Sequence, residues 1–122
     1  MKLLICDDDP VMLRVLELRL KKDGFTVLKA TNGKEAEQLL TEHKDVDLLI
    51  TDVYMPVVSG LELVSYVRSS LHNNSMIILI LTCVNVQETI NQALELGANE
   101  YWTKPVNLDE ISTKIKNLIE HD

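Results

Sequence analysis

Leu48-Leu49-Ile50-Thr51-Asp52-Val53-Tyr54-Met55-Pro56-Val57-Val58-Ser59-Gly60 is the stretch whose reading decides the fold. An uncharged apolar run stops at a single acid, Asp52, and the chain turns through Met55-Pro56 before helical spacing resumes at Gly60. A central parallel strand, covered on both faces, reads as an unbroken Val/Ile/Leu run instead of an alternating one, and Leu48-Leu49-Ile50 has that form. Pro56 has no N–H to give a sheet, so the strand ends near Asp52 and carries a carboxylate at its tip. Taken alone, a strand-end Asp is best explained as a strand terminator or turn cap. What the other strands carry at the same end changes that.

Working outward, five short apolar runs alternate with five amphipathic segments, the pattern of repeated βαβ units around a parallel sheet. Lys2 to Cys6 is the first run. Asp9-Pro10 then supplies a cap acceptor and a first-turn proline for a helix in which Met12, Leu13, Leu16 and Leu20 recur at helical spacing, with Gly24 as its stop. The second strand is expected at Thr26 to Ala30. Asn32-Gly33 opens a second helix with Ala36, Leu39 and Leu40 inward and Lys34, Glu35, Glu37 and Gln38 wet. Ser59-Gly60 opens a third, with Leu61, Val64, Val67 and Leu71 inward, broken by Asn73-Asn74-Ser75. Residues 76–81 read as another central strand. Residues 85–96 read as a more polar fourth helix with Ile90, Ala93 and Leu94 inward, ending at Gly97. A fifth strand at 100–103 stops at Lys104-Pro105, and Leu108, Ile111, Ile115, Leu118 and Ile119 mark a last helix.

The length of 122 residues fits one domain with a genuine core, covering residues 1–122, and leaves no room for a second. No apolar run approaches a membrane span and no signal-peptide core is present, so the expected location is cytoplasmic and away from membranes. A formal charge of -7 argues against a nucleic-acid surface on this domain. Cys6 and Cys83 make no metal-ligand pattern with His43, His72 or His121 and read as small buried hydrophobes. Right-handed crossovers leave few layouts for five such units, and the doubly wound, flavodoxin-like order 2-1-3-4-5 is the common one. In that order the first and fourth strands are not neighbours, which puts the two cysteines about 9 Å or more apart, beyond disulfide reach.

In a parallel sheet the carboxyl ends of all strands gather on one edge, where ligands bind. Here those ends carry Asp7-Asp8-Asp9, then Asp52, then Thr82, then Lys104. Asp7, Asp8 and Asp52 held together repel one another unless a cation or shared protons relieve them, and an all-oxygen, shallow site suits Mg²⁺ better than Ca²⁺. With Mg²⁺ and the Lys104 ammonium holding a phosphoryl group, Asp52 is placed to attack it and Thr82 to donate a hydrogen bond, giving an aspartyl phosphate. Asp9 is most simply a helix cap. Asp45 and Asp47 lie at the opposite edge and are structural.

Asp7-Asp8 after the first strand, D-x-x-M-P-x-x-x-G from Asp52 to Gly60, Thr82 after an apolar strand, Gly97-Ala98-Asn99-Glu100-Tyr101 and Lys104-Pro105 together resemble the receiver domain of two-component response regulators, over essentially the whole chain. The resemblance implies a phosphorylation-activated switch, not an enzyme with turnover on other substrates. Asp52 would be the phosphoacceptor, Asp7 and Asp8 the Mg²⁺ acids, the Tyr54 backbone carbonyl a further metal ligand and Lys104 the phosphoryl-binding lysine. Thr82 would move onto the phosphoryl group and Tyr101 rotate inward behind it. The donor would be a phosphohistidine on a sensor histidine kinase or phosphotransfer protein. The readout would be an altered face on the fourth helix, fifth strand and fifth helix, offered to an effector, an output domain or a second copy on phosphorylation.

Tyr54 and Val84 flank the route of an attacking water, so self-dephosphorylation is expected to be slow. Trp102 is expected on the sheet face opposite Tyr101, under the last helix. Asn91, Glu95 and Lys114 are candidates for the partner surface. Two rivals fit less well. A Mg²⁺-dependent aspartyl-phosphate phosphatase of the haloacid-dehalogenase kind has a second acid where this chain has Tyr54. A flavodoxin-like cofactor binder needs a small, hydroxyl-rich phosphate loop where Asp7-Asp8-Asp9-Pro10 would repel the phosphate.

Overall fold

The computed structural model describes residues 1–120; His121 and Asp122 lie outside the described residues. Strands β1 (Lys2–Cys6), β2 (Thr26–Ala30), β3 (Leu48–Thr51), β4 (Ile77–Thr82) and β5 (Glu100–Thr103) alternate with helices α1 (Pro10–Lys22), α2 (Gly33–Glu42), α3 (Gly60–Ser65), α4 (Gln87–Leu96) and α5 (Leu108–Glu120). All four strand pairings are parallel and the order is β2-β1-β3-β4-β5, the expected doubly wound sheet. β3 and β4 are buried along their whole length, which is why their sequences show no polar alternation.

Successive residues of each strand serve opposite faces. Leu3, Ile5, Leu48, Ile50, Leu79 and Leu81 pack with Leu13, Leu16 and Leu20 of α1 and Ile111 and Ile115 of α5. Leu4, Cys6, Leu49, Ile78 and Ile80 pack with Ala36 and Leu40 of α2, Leu63 and Val64 of α3, and Ala93 of α4. Tyr101 joins this second core and Trp102 the first, as period-two geometry requires.

The helix starts follow local chemistry. Asp9 Oδ1 accepts from the Val11 and Met12 amides, and Asn32 Oδ1 from the Glu35 amide. Ser59 and Glu62 form a reciprocal capping box at α3. Residues Tyr66–Ser70 continue α3 as a π-helical turn, with the Leu71 amide donating to the Tyr66 carbonyl at 2.9 Å. Leu63, Val64 and Val67 are buried, whereas Leu61, ahead of the turn, and Leu71, just after it, are only half-buried.

Three expectations need correction. The fourth helix begins at Gln87, not at residue 85: the carbonyl of Val84 is engaged by Tyr101 and Val86 is extended. Leu94 is 45% exposed, since α4 touches the core along the line of Ala93 alone. Cys83 is exposed: it follows the last residue of β4 and alternates away from the buried Thr82. Cys6 is buried as expected and both cysteines are free. At the opposite edge of the sheet Asp47 accepts from the Lys2 amide and Asp45 pairs with the Lys2 ammonium, both structural.

Candidate functional site

The register of the sheet brings the strand ends level. Cys6 pairs with Thr51, and Thr82 with Thr103, so the next residues along β1, β3 and β5, Asp7, Asp52 and Lys104, emerge on one edge. Backbone bonds extend that order beyond the strands: the Asp52 amide donates to the Cys6 carbonyl at 3.2 Å and the Lys104 amide to the Thr82 carbonyl at 2.7 Å.

Lys104 is the hub. Its Nζ donates to Asp7 Oδ2 at 2.7 Å and to Asp52 Oδ2 at 3.0 Å, with all three side chains largely shielded from water. Burial pulls the ammonium pKa down, but the hydrogen bonds and charges of Asp7 and Asp52 outweigh it and leave Lys104 above the ordinary lysine value. Asp7 moves the other way for a carboxylate. It is 3% exposed, and burial lifts its pKa despite Lys104 and the Asp9 amide, which donates to its Oδ1 at 2.9 Å. The nearby Asp52 charge adds to that rise.

Asp52 Oδ1 accepts from the Val53 amide at 2.6 Å and from the Thr82 hydroxyl at 2.5 Å. Thr82 Oγ1 in turn accepts from the Val84 amide at 3.3 Å. The Tyr101 hydroxyl donates to the Val84 carbonyl at 2.7 Å, and its ring is half-buried. Burial and the charge of Asp52 raise its pKa. Asp52, Thr82, Val84 and Tyr101 thus form one chain of hydrogen bonds from the acid to β5.

Asp8 is exposed, yet one oxygen each from Asp7, Asp8 and Asp52 lies within 4.8 Å of the other two. A hard octahedral cation with bonds of about 2.1 Å spaces its ligand oxygens about 3–4 Å apart, so these three acids suit Mg²⁺ after a small inward adjustment. A single half-buried lysine against three acids leaves excess negative charge for such an ion to offset. Tyr54 is 70% exposed, and its backbone carbonyl is the oxygen it can offer the cluster.

Two supporting contacts were not legible in the motif. A Cβ on Gly60 would overlap the Asp52 carbonyl, so only glycine lets α3 start this close, with the Gly60 amide donating to the Val53 carbonyl at 2.7 Å. Beneath the site Cys6 Sγ contacts the Asn32 carbonyl and Met55 Sδ at 3.3 and 3.2 Å, and burial pushes its thiol pKa up to about 12. The sequence marks Gly60 as a helix opener and as the end of the D-x-x-M-P-x-x-x-G pattern, but not its contact with the Asp52 carbonyl, and no sequence signal marks the sulfur contact.

A family model described as the response regulator receiver domain matches residues 3–116. The chain is 38% identical over 120 residues to a chemotaxis protein CheY homolog of Campylobacter jejuni, covering 98% of this chain and 92% of the relative. It is 35% identical over 117 residues to chemotaxis protein CheY1 of Helicobacter pylori, covering 95% and 94%. A crystal structure of a response regulator receiver domain protein from Clostridium thermocellum superposes with a TM-score of 0.89 at 31% identity, covering 98% of this chain and 94% of that one.

Proposed function

The chain belongs to the response regulator receiver domain family, and on that premise we propose that it is a phosphorylation-driven signalling switch whose phosphoacceptor is Asp52. The observation that carries this reading is the Lys104 ammonium bridging Asp7 and Asp52 at 2.7 and 3.0 Å, with Asp8 completing the acid cluster.

An oxygen of Asp52 attacks the phosphorus of a donor phosphohistidine on a sensor kinase or phosphotransfer protein; the phosphorus–nitrogen bond breaks and the electron pair leaves with the imidazole. Lys104 neutralises charge on the phosphoryl oxygens, and Thr82, already donating to Asp52, transfers its hydrogen bond to one of them. Asp7, Asp8, Asp52 and the Tyr54 carbonyl would hold Mg²⁺, which when bound would offset the carboxylate and phosphoryl charge. Asp9 stays with its helix cap. The protein acts on itself and is not an enzyme with an external product.

Loading Asp52 removes the acceptor that Thr82 uses here and, through Val84, changes what Tyr101 holds. The readout is the face formed by α4, β5 and α5, on which Asn91 and Glu95 are exposed and Lys114 pairs with Glu100 at 3.3 Å. An effector, an output domain or a second copy of the chain reads that face, in the cytoplasm and without nucleic acid on this domain. Residues 1–122 act as one receiver unit.

The test is incubation with a small-molecule phosphodonor and Mg²⁺, then intact mass and peptide mapping. One phosphoryl adduct confined to Asp52, absent without Mg²⁺ and in Asp52→Asn, is expected. An adduct elsewhere, or none, rejects the reading.

A further inference from the structure

Helix α4 is held unequally at its two ends. It buries only Ala93 among its residues, and Val86 at its N-cap position offers no side-chain acceptor and is 53% exposed. Its last turn has no basic residue of its own to meet the exposed carbonyls.

The cation comes from another helix. Arg68, in the π-helical turn after α3, donates from Nε and Nη2 to the Gly97 carbonyl at 3.1 and 2.9 Å, where Gly97 caps α4. Nη1 donates to the Asn73 carbonyl at 2.9 Å, and Nη2 also to Asn99 Oδ1 at 3.0 Å. That same amide oxygen accepts from the Ile78 amide of β4 at 2.7 Å, so the guanidinium is tied to the central sheet. Gly97 has φ +119, and a Cβ there would come 2.8 Å from Arg68 Cγ. Both backbone and packing therefore require glycine at this position, where the Arg68 side chain leaves no room for a Cβ.

We propose that Arg68 clamps the C-terminal end of α4 to β4 and makes it the pivot about which the uncapped N-terminal half of the helix moves. Arg68 is a positioning residue; it touches none of Asp7, Asp8, Asp52, Thr82 or Lys104. The inference stands whether or not Asp52 is the phosphoacceptor, because it concerns the free protein. It assigns the mobile part of the partner face to Val86, Gln87 and Asn91 and the fixed part to Gly97.

Residue-resolved amide hydrogen exchange of the full chain tests the clamp. The Ile90 amide donates to the Val86 carbonyl at 3.0 Å, and the Ala98 amide to the Ala93 carbonyl at 3.0 Å, so the two ends offer matched hydrogen bonds. In the wild type the Ile90 amide exchanges about tenfold or more faster than the Gly97 and Ala98 amides. Arg68→Ala removes that ratio by speeding exchange at Gly97 and Ala98. Arg68→Lys falls between, since one ammonium cannot serve both carbonyls and the Asn99 amide oxygen. Equal protection at the two ends of the wild-type helix, or a ratio that survives Arg68→Ala, overturns the proposal. General destabilisation speeds both ends alike and leaves the ratio unchanged, so it counts against the clamp. Where Arg68→Ala fails to fold, Arg68→Lys makes the same comparison, and a wild-type ratio that it leaves unchanged overturns the clamp.

Discussion

Thr82 Oγ1 lies 2.5 Å from Asp52 Oδ1 and donates its proton there, while accepting from the Val84 amide at 3.3 Å. Thr82 is 1% exposed, so its hydroxyl has no water to fall back on. Thr82→Val keeps the shape and removes both bonds. It is expected to lower unfolding free energy by about 1–2 kcal/mol, with Thr82→Ser within about 0.5 kcal/mol of wild type. Urea denaturation measures both. Equal stability of the Val and Ser variants would show that the hydroxyl contributes nothing to the resting fold.

Asp7 gives a pH dependence of opposite sign to the usual carboxylate. Its folded pKa is raised above 3.8, so its contribution to stability is full below that value and is lost as pH rises through the folded value. At neutral pH the ionised group is therefore a net cost that its bond to Lys104 does not cancel. Asp7→Asn should raise the melting temperature at pH 7 in chelator by a few degrees, about 1 kcal/mol. The gain should shrink as pH falls towards 4, and Mg²⁺ should stabilise the wild type more than the variant. A variant less stable than wild type at pH 7 without metal contradicts the sign.

How far these relationships could be read from the sequence follows from their range. Strand-end chemistry was legible because a parallel sheet aligns like ends: Asp7, Asp52 and Lys104 needed only the order β2-β1-β3-β4-β5 to meet. Thr26–Ala30 and Glu100–Thr103 were legible because glycine or proline flanks them. Asn85 misled as a helix start, because the pull of Tyr101 on the Val84 carbonyl is a tertiary contact with no local mark. Leu94 misled because helical spacing reports a stripe but not its width, and the sheet meets α4 only along Ala93. The π turn at Tyr66–Ser70 shifts the facing of later residues by a backbone change that apolar periodicity does not encode. Nothing in the sequence marks Arg68, since its backbone-carbonyl partners carry no sequence identity.

Val57 holds φ +69 with its side chain 78% exposed, and the Val58 amide closes a tight turn onto the Pro56 carbonyl at 2.8 Å. A β-branched residue is disfavoured there, and exposure means that packing supplies no compensation. Val57→Asn should stabilise the protein by about 1 kcal/mol, because Asn tolerates the left-handed region. Thermal melts of the two proteins decide it. A loss of stability would mean that the Val57 methyls make a contact that outweighs the backbone strain.

On the proposed function, Tyr54 and Val84 should control access of water to a loaded Asp52 unequally. Val84 is half-buried and fixed at both backbone groups, its amide on Thr82 and its carbonyl on Tyr101, whereas Tyr54 stands 70% exposed. A half-buried side chain on a backbone anchored at both its amide and its carbonyl should shield the site more constantly than a largely exposed ring. The phosphoryl group should therefore outlast seconds in Mg²⁺, and Val84→Ala should shorten its lifetime more than Tyr54→Ala does. Intact mass followed over time after removal of the donor gives all three lifetimes. A wild-type lifetime of seconds removes the shielding argument, and a larger effect at Tyr54 than at Val84 reverses the assignment of which side chain guards the route.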